Sequence, residues 1–370
     1  MNSFTRQLLF VFGCLSSLLT VAHGAEFTVP PVAQPGTGAY LAGELIYELG
    51  GWPTPRCHAS TIVETRSGLV AAWFGGTDEG DSDVGIWVSR QEGQKWLPPL
   101  EVADGSEGSD VDFPCWNPVL FRPTAGPLLL FYKVGPSPSE WWGMLVTSQD
   151  GGRTWSAPRK LGTDRSLGVG NSNLIGPVKN KPVQLADGAI ICPSSTEHRD
   201  WRIHFELTKD SGITWEVVGP ISDASNFDAI QPTLLRHGDR GMQVLCRTKQ
   251  GVIAQSWSRD GGKTWSKLAA TELPNPDAGA DAVTLEDGRQ LLVYNHAVKT
   301  KDQNGRQMLN VAISHDGESW QPVLTLENEG NSAGYSYPAV IQASNEKVHI
   351  TYTWRRLAIK HVVLDPAALH

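Results

Sequence analysis

The apolar positions of this 370-residue chain fall in short β-rich runs, and six of these runs open on a polar residue followed by Pro or Ala. The openings are His58-Ala59, Asn117-Pro118, Lys181-Pro182, Gln231-Pro232, Asp281-Ala282 and Tyr337-Pro338, at steps of 59, 64, 50, 50 and 56 residues. Proline has no N–H for a β-ladder, so it is tolerated where a strand begins and excluded from its middle. Each opening therefore marks the first residues of an innermost strand, and six openings predict six repeats.

A second period runs in phase with the first. Ser148-Gln149-Asp150-Gly151-Gly152-Arg153-Thr154-Trp155 returns as Ser258-Arg259-Asp260-Gly261-Gly262-Lys263-Thr264-Trp265. Thr208 to Trp215 is a close variant, Ser314 to Trp320 is one residue shorter, and Ser89 to Trp96 has lost the Asp. The chemistry is that of a hairpin turn: the carboxylate accepts from the turn's own N–H groups and glycine takes the φ > 0 position. The tryptophan then packs between repeats. Trp-to-Trp steps of 59, 60, 50 and 55 residues each hold about four short strands, the size of a propeller blade. There are six strand starts but five such turns. The last blade is therefore expected to be completed by the chain's own beginning, with Gly43 to Leu49 (Ile46 and Tyr47 among them) beside residues 340–363, which leaves no open edge.

These turns resemble the Asp-box, or BNR, repeats of the sialidase superfamily, and the chain is most similar to its bacterial group of predicted sialidases. The resemblance covers nearly all of residues 25–370. It implies an all-β fold, a six-bladed β-propeller with Asp-box repeats forming one domain. A total of 62 Gly and Pro residues and 14 Trp agrees with short strands and tight turns.

Three features of composition bound the setting. Arg6, the apolar run Leu8–Val21 and the small residues of Ala22-His23-Gly24 predict a cleaved secretory leader over residues 1–24, and hence a secreted or periplasmic protein. No other stretch approaches 18 apolar residues, so no membrane span is expected. The net charge of −8, without a basic run, argues against a nucleic-acid partner. Cys57, Cys115, Cys192 and Cys246 allow two disulfides in three pairings, or four buried thiols.

Second strands return to the end where inner strands start. The mouth of the channel should then carry Lys133, Glu197, Arg247, Asn295 and Arg355 beside His58, Asn117, Lys181, Gln231, Asp281 and Tyr337. Local cations in an acidic protein point to a bound carboxylate or sulfate. Members of the resembled superfamily hold a substrate carboxylate with three arginines, attack with a tyrosine activated by a glutamate, and use an aspartate as acid/base. The resemblance places the nucleophile at Tyr335 in Gly334-Tyr335-Ser336, its partner at Glu197 and the second arginine at Arg247. The acid falls at Asp78, Asp81 or Asp83. Arg306 and Arg355 compete for the third arginine. The opening Arg-Ile-Pro motif is absent, and its arginine would fall on His58 or Cys57, with Arg56 displaced.

His58 carries an alternative. Facing Tyr335 or Tyr337, an imidazole near its ordinary pKa of about 6.5 suits proton abstraction from a uronate. The expectation is thus an exported, monomeric, sialidase-like exo-glycosidase acting on acidic carbohydrate. A uronate-directed lyase or hydrolase and a non-catalytic glycan-binding propeller remain as alternatives. No cofactor is implied by residue spacing. The acidic loop Asp78, Asp81, Asp83 is of the kind that binds Ca²⁺, but a solvated acidic loop is the favoured reading of it.

Overall fold

The computed structural model describes residues 28–50, 52–106, 111–162, 174–197, 200–222, 225–330 and 332–370. The expected leader over residues 1–24 lies outside them. Six antiparallel sheets follow one another along the chain, each a meander from the centre outward. Blade one holds Arg56–Thr65, Gly68–Gly76 and Gly85–Glu92, with Lys95–Trp96 and Leu100–Ala103 at its outer edge. Blade two is Cys115–Phe121, Leu128–Val134, Trp142–Ser148 and Arg159–Lys160. Blade three is Val183–Gln184, Ile190–Thr196, Arg202–Thr208 and Glu216–Val218. Blade four is Ala229–Arg236, Met242–Thr248, Val252–Ser258 and Ala269–Pro274. Blade five is Asp281–Thr284, Gln290–Tyr294, Met308–Ser314 and Gln321–Asn328. Blade six takes Tyr335–Gln342, Val348–Trp354 and Ala358–Leu364 from the end of the chain and Tyr40–Leu45 from its beginning. The protein is a six-bladed β-propeller. The closing strand starts three residues before the expected Gly43. It pairs Gly43 with Val362 and Glu44 with His361, and Ile46 N–H adds a bond to the Ile359 carbonyl (2.9 Å).

The turns that set the repeat are built from side chains. Asp150 Oδ1 accepts from the N–H groups of Arg153 (3.0 Å) and Thr154 (2.9 Å), and its Oδ2 accepts from Thr154 Oγ1 (2.6 Å). Ser148 Oγ takes the Gly152 N–H at 2.8 Å. Gly151 and Gly152 have φ of 72° and 88°, a backbone region that side chains disfavour. The same bonds recur at Asp210, Asp260 and Asp316. The following tryptophans reach the blade before: Trp215 meets Phe131 edge-on (6.2 Å) and Trp265 stacks on Phe205 (4.5 Å). An aromatic pair of this kind adds to the area that each ring buries.

Around the channel, the inner strands of blades one, two, four and six each carry a bulge. Register slips between His58 and Thr61, Trp116 and Val119, Ile230 and Thr233, and Ser336 and Ala339. The bulged residues Ala59, Asn117, Gln231 and Tyr337 have φ of 55°, 38°, 54° and 53°. A bulge re-aims a side chain, and here it turns residues toward the axis. In blade three the left-handed residue is Lys179 (φ 69°), not the expected Lys181. In blade five Gly279 takes the corresponding place, where an added Cβ would lie 3.0 Å from Lys179 Cε and 3.1 Å from Gln231 Oε1. Pro182 and Ala282 imitate the opening pattern two residues downstream of the true positions.

Two residues after Ala59, Gln231 and Gly279 lie the side chains that lace the ring, Thr61, Thr233 and Asp281. Leu120 N–H donates to Thr61 Oγ1 (3.1 Å), Ala282 N–H to Thr233 Oγ1 (3.1 Å), and Val340 N–H to Asp281 Oδ2 (2.8 Å). All four cysteines outside the leader are buried free thiols, so the disulfide alternative does not hold. Among the described residues no helix is long and apolar enough to cross a membrane.

Candidate active site

Tyr337 is the centre of the channel mouth. The bulge that gives it a positive φ lifts its phenol out of the strand register and into a ring of polar groups. Arg247 Nη1 donates to its hydroxyl oxygen at 2.9 Å, and Gln231 Nε2 at 3.2 Å. The guanidinium carbons of Arg247 and Arg306 stand 5.7 and 5.8 Å from its ring centroid, and Lys179 Nζ stands at 5.9 Å. The imidazole of His58 packs against the same ring at 4.1 Å. A phenol oxygen that accepts from a guanidinium and an amide is well placed to carry developing negative charge.

Two arginines, from blades four and five, face this ring, and a third, from blade six, adds its charge at Arg306 and His58. Arg247 is the penultimate residue of the second strand of blade four, with Trp201 at 5.0 Å on its face. Arg306 sits in the connection 295–307 of blade five, its Nη2 donating to the Asp277 carbonyl at 3.1 Å. Its position depends on Gly334. Tyr335 N–H donates to the Arg306 carbonyl at 2.7 Å, and a Cβ on Gly334 (φ 65°) would come within 2.5 Å of that oxygen. Arg356, left-handed at φ 61°, follows the second strand of blade six and pairs with Glu79 Oε2 at 2.6 Å. The three fields overlap: burial lowers the pKa of Arg306, as do Arg247 and Arg356, against the opposing pull of Tyr337 and Asp277.

His58 feels the same cluster. Burial drives its pKa well below the usual value, and Arg356, Arg306, Arg247 and Lys179 push the same way. Its Nδ1 shares a 2.9 Å hydrogen bond with Thr353 Oγ1. The ring is therefore neutral and a weak proton acceptor, unlike the imidazole near pKa 6.5 that proton abstraction asks for. Glu197 is half-buried beside Arg247. Burial raises its pKa, Arg247 and Lys249 lower it, and Asp277 and Glu79 raise it. A carboxyl whose pKa is raised in this way is a better proton acceptor than an exposed one, which suits acid/base work.

His58, Gln231, Arg247 and Tyr337 thus come together, Glu197 lies within the field of Arg247, and Asn117 occupies the bulge of blade two, buried. The other expected residues lie elsewhere. Tyr335, two residues before Tyr337, is buried in the apolar layer between blades five and six. Its hydroxyl accepts from Arg355 Nε (3.3 Å) and Nη2 (3.2 Å) and donates to Glu329 Oε2 (3.4 Å). Burial and the nearby Glu327 push that phenol up to about 12. Arg355 serves this cluster and stacks on Trp354 at 4.4 Å. Asp78 is exposed and accepts from Glu79 N–H (2.9 Å), while Asp83 caps Thr77. Glu79 is the acid of that loop that meets Arg356. Lys133 is enclosed and donates to the Pro177 carbonyl, and burial draws its pKa down to about 7. Lys181 and Asp281 form an internal ion pair (2.9 Å), and Asn295 ties the Tyr335 carbonyl (2.9 Å) to blade five. These four are scaffold. Among the described residues no group of three or more His, Cys, Asp or Glu is arranged to hold a metal ion.

Sequence reasoning missed Arg356, Lys179, Asp277 and Trp201. Arg356 adjoins the expected Arg355, and Lys179 lies two residues before the expected Lys181. Asp277 and Trp201 stand in connections, where no period marks them.

The family model of the BNR repeat-like domain matches residues 67–350. A sialidase of Bacteroides fragilis is 27% identical over 225 residues, which are 56% of this chain and 39% of that protein, so the match spans well under half the length of that curated relative. A protein of unknown function from Dyadobacter fermentans superposes with a TM-score of 0.71 at 16% identity, over 88% of this chain and 98% of that one. The NanB sialidase of Streptococcus pneumoniae gives 0.67 at 14% identity (88% and 71%). The intramolecular trans-sialidase of Ruminococcus gnavus, solved with oseltamivir carboxylate, gives 0.66 at 15% identity (90% and 99%). With its six blades, its repeated turns and a family match over most of its length, the chain belongs to the BNR repeat-like family of the sialidase superfamily.

Proposed function

We propose that this protein is an exported glycoside hydrolase that removes a terminal, carboxylate-bearing sugar of the sialic acid kind from acidic glycans. One observation carries the reading: Arg247 and Arg306 stand against the ring of a single tyrosine, Tyr337, and a third arginine, Arg356, adds its charge at Arg306 and His58, in a protein of net charge −8. Guanidinium groups bind carboxylates in planar, charge-assisted pairs, and three of them exceed what one phenol needs. Tyrosine is the nucleophile of sialidases among glycosidases. In this reading Tyr337 takes that role in place of Tyr335. Its oxygen gives its proton to the partner carboxylate and bonds to the anomeric carbon as the glycosidic C–O bond breaks. Water then displaces the phenol oxygen from that carbon, taking the tyrosine back to its starting state. Glu197 is the partner carboxylate, and an acid of the mouth supplies the leaving oxygen with its proton. The turns at Asp150, Asp210, Asp260 and Asp316 are Asp boxes with a structural role.

The low proton affinity of His58 weighs against the uronate lyase. A non-catalytic binder does not call for Tyr337, Glu197 and Glu79 around one clamp. The test is incubation of the protein with a sialyl conjugate and with a rhamnose–glucuronate glycan. Released free acidic sugar and the absorbance of an unsaturated uronate are followed together. Release from the sialyl conjugate, lost in Tyr337→Phe, is the expected result. Unsaturated product that depends on His58 would replace the hydrolase with a lyase.

A further inference from the structure

We propose that Asp277 is a positioning residue that brackets two of the three arginines and thereby fixes the gap in which the carboxylate is held; the proposal rests on the hydrolase reading above. Its two ends do different work. The carboxylate Oδ1 lies 3.3 Å from Arg247 Nε, and the backbone carbonyl accepts from Arg306 Nη2 at 3.1 Å. A residue in ordinary extended backbone points its side chain and carbonyl along fixed, alternating directions. Asp277 instead has φ 60°, a region that Asp visits more readily than most residues. That conformation lets one residue face two guanidinium groups from different blades.

The bracket is itself held from both sides. Asn275 clamps the turn below it: Asn275 Nδ2 donates to the Ala278 carbonyl (3.1 Å) and Ala278 N–H donates back to Asn275 Oδ1 (2.9 Å). Asn275 N–H is tied to Gly251 of blade four at 2.9 Å. From the other side the segment bearing Arg306 presses on the turn, since a Cβ on Gly305 would lie 2.3 Å from Pro276 Cβ. Asp277 Oδ1 and Arg247 Nε are both fully covered, at ion-pair distance but not aligned as a hydrogen bond. Buried polar atoms left in that state are uncommon outside functional sites. With Nε turned to Asp277 and Nη1 to Tyr337, the plane of the Arg247 guanidinium is set before any ligand arrives.

The test compares Asp277→Gly, Asp277→Asn and Asp277→Ala. Glycine keeps the left-handed backbone, and so the hold on Arg306, but deletes the carboxylate. Alanine also strains the backbone. Calorimetric titration with free sialic acid, and with its analogue reduced to the alcohol at the carboxyl carbon, separates positioning from bulk structure. Expected is a roughly 10- to 100-fold weaker affinity for the acid in Asp277→Gly. Asp277→Asn should fall between, Asp277→Ala should be weakest, and the reduced analogue should bind all four proteins alike. Equal weakening for acid and alcohol overturns the proposal, as does tighter acid binding in Asp277→Gly, which would make Asp277 a competitor of the substrate. A second readout needs no ligand: the ¹³Cζ resonance of Tyr337 reports its bond from Arg247. It should move in Asp277→Gly, and an unchanged resonance overturns the bracket. If the wild-type protein binds no acidic sugar while that resonance moves, the hydrolase reading fails and the bracket stands.

Discussion

Replacing Lys179 by methionine tests how the propeller is held together at its axis. Lys179 leaves blade three fully buried, and its ammonium donates to Asn180 Oδ1 (2.9 Å), the Ala280 carbonyl of blade five (2.8 Å) and the Pro338 carbonyl of blade six (2.5 Å). Methionine matches its length and removes its donors. Each carbonyl left without a partner costs about 1–3 kcal/mol, offset in part by no longer burying a charge. The sharper signature is in pH. Burial draws the Lys179 pKa from 10.5 down to about 7, with Asp281 opposing. Between those values the unfolded chain binds the extra proton, so the wild-type protein gains stability as pH rises, and loses it as pH falls toward 7. From pH 6.5 to pH 9 the gain from this one group is about 2.5 kcal/mol. Spread over the unfolding entropy of a chain this size, that is roughly 3–4 °C in Tm. Thermal melts of wild type and Lys179→Met at both pH values read it directly, because Lys133 and every other group cancel in the difference. A gap in Tm that widens by this amount at pH 9 is expected. A gap that stays constant or narrows would refute the reasoning and mean that Lys179 keeps its proton throughout.

Three further outcomes follow from other parts of the molecule. Gly334→Ala drives a methyl to 2.5 Å from the Arg306 carbonyl at φ 65°, so affinity for an acidic sugar should drop while far-UV circular dichroism is kept. Burial, then His361, lowers the His349 pKa from 6.5 to about 4, against Glu64, and its Nδ1 meets His361 Nε2 at 3.0 Å. Its share of stability is present above pH 6.5 and is lost as pH falls toward 4, up to about 3 kcal/mol, so urea midpoints at pH 4.5 and 6.5 should converge in His349→Phe. Trp320→Ala empties a site that is 2% exposed and drops the Nε1 bond to the Gly317 carbonyl (3.0 Å). It should cost about 3–5 kcal/mol by urea denaturation.

What could be read from the sequence was what is local. The turns at Asp150, Asp210, Asp260 and Asp316 need Asp, Gly and Trp at fixed offsets, so they declare themselves without tertiary information. The sixth blade was legible because one turn was missing, although the closing strand begins at Tyr40 and not Gly43. The mouth was only partly legible, because there backbone dihedrals decide. Tyr335 and Tyr337 both look exposed at a strand start, and the bulge gives the axis to Tyr337. Arg355 and Arg356 are neighbours with φ of 54° and 61°, yet one serves Tyr335 and the other joins the cluster near His58. Lys133, Lys181 and Asp281 were expected as ligand groups because they are charged at strand ends. Each finds its partner inside the protein.

The claim that matters most is that Tyr337 forms the bond to the sugar. A fluorinated sialic acid analogue with a fluoride leaving group, incubated with the protein and followed by peptide mass spectrometry, would trap that bond. The expected result is one added sugar on the peptide spanning blade six, assigned by fragmentation to Tyr337 and absent in Tyr337→Phe. Label on Tyr335, or turnover of the sialyl conjugate that survives in Tyr337→Phe, would contradict it.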